Sequence, residues 1–192
     1  RNFLGRGWEL FLRVRAGAET QQGTIGFTEP WLFDRPLSAG FDLFNNRRIF
    51  DDYTVNSLGG DVRFGHPLGD YSRWNLIYRL TQDDISDVDD NASSSLKSEE
   101  ETRITSLVGG AITRDTRDSA FEPTRGSIVS VGADFAGLGG DSKFVRGLAN
   151  IATFYNIWLD HVISGRAQGA YMVGWSNDPG PLFERFYLGG AN

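Results

Sequence analysis

The acidic residues between positions 83 and 101 are the ones whose types and spacing could bind a cation or exchange protons. Residues 87–91 (DVDDN) alternate oxygen ligands as the start of a calcium loop does, but Ala92 stands where that loop needs glycine. Ser98 stands where it needs a bidentate glutamate, so no metal site is predicted. The paired carboxylates have no apolar surroundings to separate their pKa values, as acid–base catalysis requires. A solvated loop over 84–101 is the better interpretation.

Other residue types that carry chemistry are scarce. The chain of 192 residues has no cysteine, which excludes disulfides, thiol catalysis and cysteine-ligated zinc. Its two histidines, His66 and His161, both adjoin predicted turns and are interpreted as surface residues. The glycines in 137–140 (GLGG) are too few and wrongly spaced for a phosphate loop. The sequence therefore predicts a protein that is not an enzyme, with no catalytic residue, no cofactor and no metal.

The charge distribution indicates no nucleic-acid partner. The net charge is −6, and residues 83–101 hold eight acidic residues against one lysine. The rest of the chain is close to neutral and has no basic stripe, which nucleic-acid binding would need. No apolar run approaches the ~18 residues of a transmembrane helix.

Apolar and polar residues alternate with a period of two along most of the chain, which indicates strands with two different faces. Leu10, Leu12 and Val14, for example, alternate with Arg13 and Arg15. Glycine, at 24 of 192 residues, is well above its usual ~7%, which disfavours long helices. The predicted strands are 6–18, 22–33, 37–49, 53–66, 72–83, 102–114, 126–137, 143–157 and 162–176, with a possible tenth from Phe183.

The links between these segments favour a transmembrane β-barrel. Short turns alternate with longer polar loops, as in outer-membrane barrels, and Trp31, Trp74 and Trp158 lie near the short turns, as interfacial aromatics do. The alternative is a soluble β-sandwich or lipocalin-like barrel with aromatics in its core. Strands of 11 to 15 residues, against a usual ~5–6, argue for the membrane barrel. Arginines such as Arg79 and Arg146 would then face a watery lumen.

Residues 114–126 (RDTRDSAFEPTRG) have the composition of an ordered turn between two strands. Pro123 fixes one φ angle, Gly126 can take a positive φ, and the Arg and Asp side chains can pair. This segment resembles the BamA family of outer-membrane protein assembly factors, in which an Arg-Asp turn ends in Pro-Thr-x-Gly before the next strand. The resemblance implies a structural turn made by Arg114, Asp115, Arg117, Asp118, Phe121, Pro123, Thr124 and Gly126.

Three further stretches match that family in the expected order, so the resemblance covers the whole chain. Residues 2–7 (NFLGRG) are similar to the entry into its first barrel strand, and 28–32 (TEPWL) to the end of its second. Residues 183–190 (FERFYLGG) resemble the lead-in to its Val/Ile-Arg-Gly-Phe motif. The implied edge for client strands is Asn2, Phe3, Leu4, Gly5, Gly7, Glu9, Phe11, Arg13 and Arg15. The implied lead-in to a lumenal loop is Phe183, Phe186, Tyr187, Gly189 and Gly190.

The resemblance also implies a fold and partners. The expected fold is all-β, an antiparallel transmembrane β-barrel in which residues 1–192 form a partial domain of nine to ten strands out of about sixteen. The family's periplasmic POTRA repeats and C-terminal barrel strands are expected to be absent from this chain. The implied function is assembly and insertion of β-barrel proteins in the bacterial outer membrane. Implied partners are outer-membrane lipids, nascent β-barrel proteins, and assembly lipoproteins bound through the POTRA repeats.

Two alternatives remain open at the level of sequence. A passive outer-membrane pore would use the same strand pattern, with lumenal arginines setting an anion preference. A two-partner secretion transporter or a translocation-module barrel would share the family's motifs.

Overall fold

The computed structural model describes residues 7–50, 52–89, 102–159 and 161–175. These residues form one sheet of nine strands, each antiparallel to its neighbours in the chain, which confirms the predicted all-β architecture. No helix in these ranges has the length and apolar character needed to cross a membrane. The strands are β1 (Glu9–Ala16), β2 (Thr20–Glu29), β3 (Ser38–Ile49), β4 (Thr54–Pro67), β5 (Ser72–Ser86), β6 (Thr102–Asp115), β7 (Gly126–Gly140), β8 (Phe144–Trp158) and β9 (His161–Gly174).

The sheet has an apolar face, called the outer face below. Directly paired residues in neighbouring strands share a face, so the register can be followed across the sheet. One such row has an apolar or aromatic residue in every strand, and its members are Leu10, Phe27, Phe41, Val62, Tyr78, Val108, Phe135, Val145 and Val173. The members of this row in every strand except β2 are more than a third exposed, including Tyr78 at 43% and Val108 at 37%. This is the pattern of a surface in contact with lipid.

The opposite face, called the inner face, carries the charged residues and is more closely packed. Arg13, Arg79, Arg146 and Arg166 all lie on it by register, as the sequence predicts. The described side chains that are both apolar and buried are also on this face, which is expected where a sheet curves inward and crowds its concave side. They are Val55, Ile85, Leu107, Ala136, Phe144 and Ala152.

The second strand is shorter at its end than the predicted 22–33. It stops at Glu29, and Leu32–Asp34 form a 3-10 turn in which Phe33 and Asp34 have φ angles of 56° and 58°. Pro30 has no N–H to continue the ladder, and a left-handed backbone cannot remain in a strand. The alternation of residue types in the sequence continues through Trp31 and Phe33, but the extended backbone of the strand ends at Glu29.

The fifth strand is longer than the predicted 72–83, because β5 continues to Ser86. Asp84, which the sequence placed in a solvated loop, therefore belongs to the sheet together with Asp83. The Ser57 hydroxyl donates to the Asp83 carboxylate, and the Thr102 hydroxyl donates to Asp84 (2.9 Å). These cross-strand hydrogen bonds satisfy the carboxylates within the ladder.

Candidate functional site

The open edge of β1 is the first feature with functional potential. Within the described part of the chain β1 pairs only with β2, and at 8 residues it is the shortest of the nine strands. An edge strand presents unpaired N–H and C=O groups to which another strand can bond.

Backbone hydrogen bonds determine which β1 residues present those groups. Gly17 N–H donates to the Thr20 carbonyl across the β1–β2 turn (2.8 Å). Bonded and non-bonded pairs alternate in an antiparallel ladder, so counting back from Gly17 assigns the odd residues of β1 to β2. Leu10, Leu12 and Val14 therefore direct their N–H and C=O groups to the open edge.

The turn between β2 and β3 checks this assignment. Ile49 N–H donates to the Glu19 carbonyl (2.8 Å), so the odd residues of β2 bond to β3 and its even residues bond to β1. The register pairs even residues of β2 with odd residues of β1, as in Thr24 with Arg13. Hydrogen bonds at two different turns thus give the same result, that the odd residues of β1 bond to β2 and the even residues direct their backbone groups to the open edge.

The same alternation determines the face of the sheet on which each β1 side chain lies. Leu10, Leu12 and Val14 lie on the outer face and are 48%, 74% and 73% exposed. Arg13 lies on the inner face, with its guanidinium 5.8 Å from the centre of the Phe11 ring. The open backbone groups of β1 thus belong to residues whose side chains are outward and apolar.

The structure refines the edge that the sequence assigns. Glu9, Phe11, Arg13 and Arg15 are odd residues, which direct their backbone groups to β2 and their side chains to the inner face. Gly7 precedes the strand with a φ angle of 78°. The other assigned residues, Asn2, Phe3, Leu4 and Gly5, lie outside the described residues. The edge role of this segment stays a prediction.

Ion pairs join β3, β4 and β5 on the inner face beside this edge. Arg63 contacts Asp42 at 2.8 Å and Asp61 at 3.6 Å, and Arg79 contacts Asp61 at 3.0 Å. The Asp61 side chain is only 3% exposed, and the two arginines offset its charge. Its Oδ2 accepts a hydrogen bond from Arg79, whereas its Oδ1 has no hydrogen-bond partner among the described residues. Gly26 of β2 leaves room for this network, because a Cβ there would collide with Asp42.

A second ion pair occupies the inner face of β7 and β8. Arg146 donates from Nε (2.9 Å) and from a terminal nitrogen (2.7 Å) to one oxygen of Asp134. Gly109 of β6 lies under this pair, and a Cβ there would lie 2.3 Å from the Asp134 carboxylate. The sequence predicts lumenal positions for Arg79 and Arg146, but it did not identify Arg63 or the acidic partners Asp42, Asp61 and Asp134. The available signal was an acidic residue at an inner-face position of an otherwise apolar or small-residue strand.

The turn after β6 is ordered around Asp118. Its carboxylate accepts hydrogen bonds from the Thr124 hydroxyl and from the backbone N–H groups of Ser119 (3.0 Å), Thr124 (2.9 Å) and Arg125 (3.1 Å). These bonds, the Thr124 hydroxyl first, lower the pKa of Asp118 from 3.8 to about 2. Gly126 closes the turn with a φ angle of 95°, and a Cβ there would lie 2.2 Å from the Thr116 carbonyl oxygen.

The remaining turn residues assigned from the sequence differ in their surroundings. Asp115 and Arg117 form an ion pair at 2.7 Å. Phe121 is 97% exposed, and the Arg114 side chain forms no hydrogen bond or ion pair with any described residue. These contacts support a rigid turn. The role of these residues as a structural turn motif stays a prediction.

The remaining expectations concern the lead-in to the lumenal loop, the acidic loop and metal binding. The lead-in Phe183, Phe186, Tyr187, Gly189 and Gly190 lies outside the described residues, as do residues 90–101 of the acidic loop. No cluster of three or more metal-binding side chains occurs among the described residues.

Comparison with known proteins gives consistent relatives for this sheet. Residues 2–192 match the Omp85 superfamily domain. Two outer membrane protein assembly factors BamA are similar: that of Nitratidesulfovibrio vulgaris is 34% identical over 100% of this chain and 24% of the relative, and that of Neorickettsia risticii is 29% identical over 97% and 26%. The sorting and assembly machinery component 50 homolog of Mus musculus is 26% identical over 98% of this chain and 41% of its own length.

A solved structure shares the fold. The crystal structure of BamA from Haemophilus ducreyi lacking POTRA domains 1–3 superposes with a TM-score of 0.86 at 18% identity, over 98% of this chain and 40% of that one. The chain thus spans about a quarter to two fifths of the length of the relatives it matches.

Proposed function

Because the chain belongs to the Omp85 superfamily and its nine strands are part of an integral β-barrel of the bacterial outer membrane, we propose that it serves in the assembly and insertion of other outer-membrane β-barrel proteins. The observation that carries this proposal is the open edge of β1, with the backbone groups of Leu10, Leu12 and Val14 directed away from β2. The substrates are nascent barrel strands, which add to this edge by β-augmentation.

The physical benefit of such an edge comes from the bilayer. A backbone N–H or C=O group that enters hydrocarbon without a hydrogen-bond partner costs several kcal/mol. A client strand that bonds to β1 satisfies one of its own edges before it is surrounded by lipid. No covalent step or cofactor takes part in this mechanism.

Two kinds of partner follow from the proposal. The outer face contacts lipid, and the β1 edge contacts clients. Assembly lipoproteins are proposed to bind to the POTRA repeats of the family, outside this chain.

A passive pore is not favoured as the function. Three inner-face arginines, Arg63, Arg79 and Arg146, are paired with carboxylates and so contribute little net positive charge to an anion path. The relatives named above are assembly components, not pores.

The phase of the β1 edge gives a sharp test in the full-length protein. Directly opposite residues share a face, so a client residue that bonds to Leu10, Leu12 or Val14 also points outward. A synthetic client-strand peptide is methylated at one backbone nitrogen at a time, and its inhibition of client insertion into vesicles is measured. We expect methylation at outward, apolar positions to abolish inhibition and methylation at alternate positions to have little effect.

Cysteine crosslinking provides the positional control for this experiment. Leu12→Cys in β1 should form a disulfide with a cysteine in a stalled client strand. Leu43→Cys, on the same outer face of β3 but in a strand paired on both sides, should give only background. Loss of inhibition with no period of two, or equal crosslinking at both cysteines, would contradict the proposal.

A further inference from the structure

A groove on the outer face of β5, β6 and β7 has the shape and composition of a hydrocarbon site. It is a shallow depression, open to the surroundings of the sheet, with a volume of about 450 Å³. The side chains that line it are almost entirely apolar. They are Trp74, Leu76, Ile112, Val131 and Ala133, with the backbone of Gly110 and Gly132 at its floor.

The groove exists because one row of the outer face has only glycine or alanine in β6, β7 and β8. Leu76 of β5 pairs with Gly110, which pairs with Ala133 and then with Gly147. A Cβ at Gly110 would lie 3.0 Å from Leu76 Cδ2, so a larger residue there would displace the wall of the groove. Bulky side chains in the rows on both sides, such as Ile112, leave a depression between them.

A cation whose side chain has no partner among the described residues lies at the end of this groove nearest the short turns. Arg114 follows Ile112 by two residues in β6, so it is on the same outer face, about 7 Å further along the strand. Its side chain is exposed and forms no hydrogen bond or ion pair with any described residue. The adjacent Asp115 points to the inner side and is occupied by Arg117 at 2.7 Å. Ser72 pairs directly with Arg114 and adds a hydroxyl at the same level.

We propose that this groove binds one phospholipid with an anionic headgroup. An acyl chain lies over Gly110 and Ala133, and the phosphate accepts hydrogen bonds from the Arg114 guanidinium and the Ser72 hydroxyl. Guanidinium and phosphate form strong, charge-assisted hydrogen bonds. Trp74 at the groove and Tyr71 in the adjacent turn are aromatic residues of the kind enriched at membrane interfaces, where the phosphate would lie. This site is on the opposite side of the sheet from the ion pairs, and it does not depend on client binding at β1.

Native mass spectrometry of the full-length protein tests the site. The protein is reconstituted with phosphatidylglycerol or with phosphatidylcholine, and the number of lipids retained per barrel is counted. We expect the wild type to retain one phosphatidylglycerol in preference to phosphatidylcholine, because the quaternary ammonium of phosphatidylcholine already neutralises the phosphate that Arg114 would bind. Arg114→Gln should weaken that retention about tenfold, the effect of losing one charged hydrogen bond. Ala133→Leu, which fills the groove, should lower retention of both lipids.

Matched variants make the result decisive. Arg125→Gln removes an arginine from the neighbouring turn and should retain the lipid as the wild type does. Folding is verified by the heat-dependent mobility of each variant in gels, and Ala133→Val replaces Ala133→Leu if the latter does not fold. Wild-type retention by Arg114→Gln, equal losses in both arginine variants, or displacement of the lipid by soluble glycerol 3-phosphate would overturn the proposal.

Discussion

At the scale of single residues, carboxylates determine much of the local order in this chain. Asp61 holds two arginines on the inner face of the sheet, and Asp118 holds three backbone N–H groups and a hydroxyl in the turn after β6. Asp118 is the clearer case for experiment because it lies outside the strands, where solvent reaches it. Its depressed pKa means that the ionised form is the one that stabilises the turn.

Asp118→Asn should therefore lower the unfolding temperature of the full-length protein in a pH-dependent way. The unfolded carboxyl titrates near 3.8 and the folded one near about 2. The stabilisation is fully present above pH 3.8 and is lost as the pH falls through about 2, so the difference between wild type and variant should narrow over that interval. Thermal unfolding at a series of pH values measures it.

Asp70→Asn is the matched control for this prediction. Asp70 lies in another short turn and makes no hydrogen bond or ion pair with the described residues. Its substitution should leave the unfolding temperature unchanged, and a pH-independent deficit in Asp118→Asn would show that the charge is not what matters.

At the scale of strands and turns, local sequence signals were sufficient for most boundaries. Alternation with a period of two, interrupted by Pro and Gly, placed β4 within one residue of its observed ends, 53–66 against Thr54–Pro67. Such signals depend only on neighbouring residues. They failed for β5, where Asp83 and Asp84 are in the ladder because Ser57 and Thr102, distant in sequence, donate to them. The sequence also could not indicate which β1 residues direct their backbone groups to the open edge, because this depends on backbone hydrogen bonds such as the one across the Gly17–Thr20 turn.

Gly126→Ala tests the turn after β6 as an element. The new Cβ would be forced against the Thr116 carbonyl at a positive φ angle, which is expected to cost about 1–3 kcal/mol or more. Urea unfolding of the full-length protein in detergent measures the loss. Gly169→Ala in β9 is the control, because no heavy atom lies within 4 Å of its Cβ position. Comparable losses in both variants would show that the turn is no more constrained than a strand.

At the scale of the whole sheet, the two faces predict different losses of unfolding free energy for the same substitution. Val108→Arg would place a charge in the apolar row of the outer face, which costs about 2–4 kcal/mol near the middle of the bilayer. Asn150→Arg places the same side chain on the inner face of β8, where the cost should be much smaller. Unfolding of both proteins in lipid vesicles gives the two free energies. A larger loss for Asn150→Arg would mean that the faces are reversed.

The described residues form nine strands of alternating direction, and this number limits how their sheet can close. In a series of strands that alternate in direction, the first and the ninth run the same way. Joining β9 to β1 would therefore create one parallel seam, and a ring of several copies related by rotation about the barrel axis would contain a parallel seam at every junction. Parity thus excludes an all-antiparallel barrel built from this sheet alone or from rotational copies of it. Any all-antiparallel barrel with one such sheet must add an odd number of further strands, whatever chain supplies them.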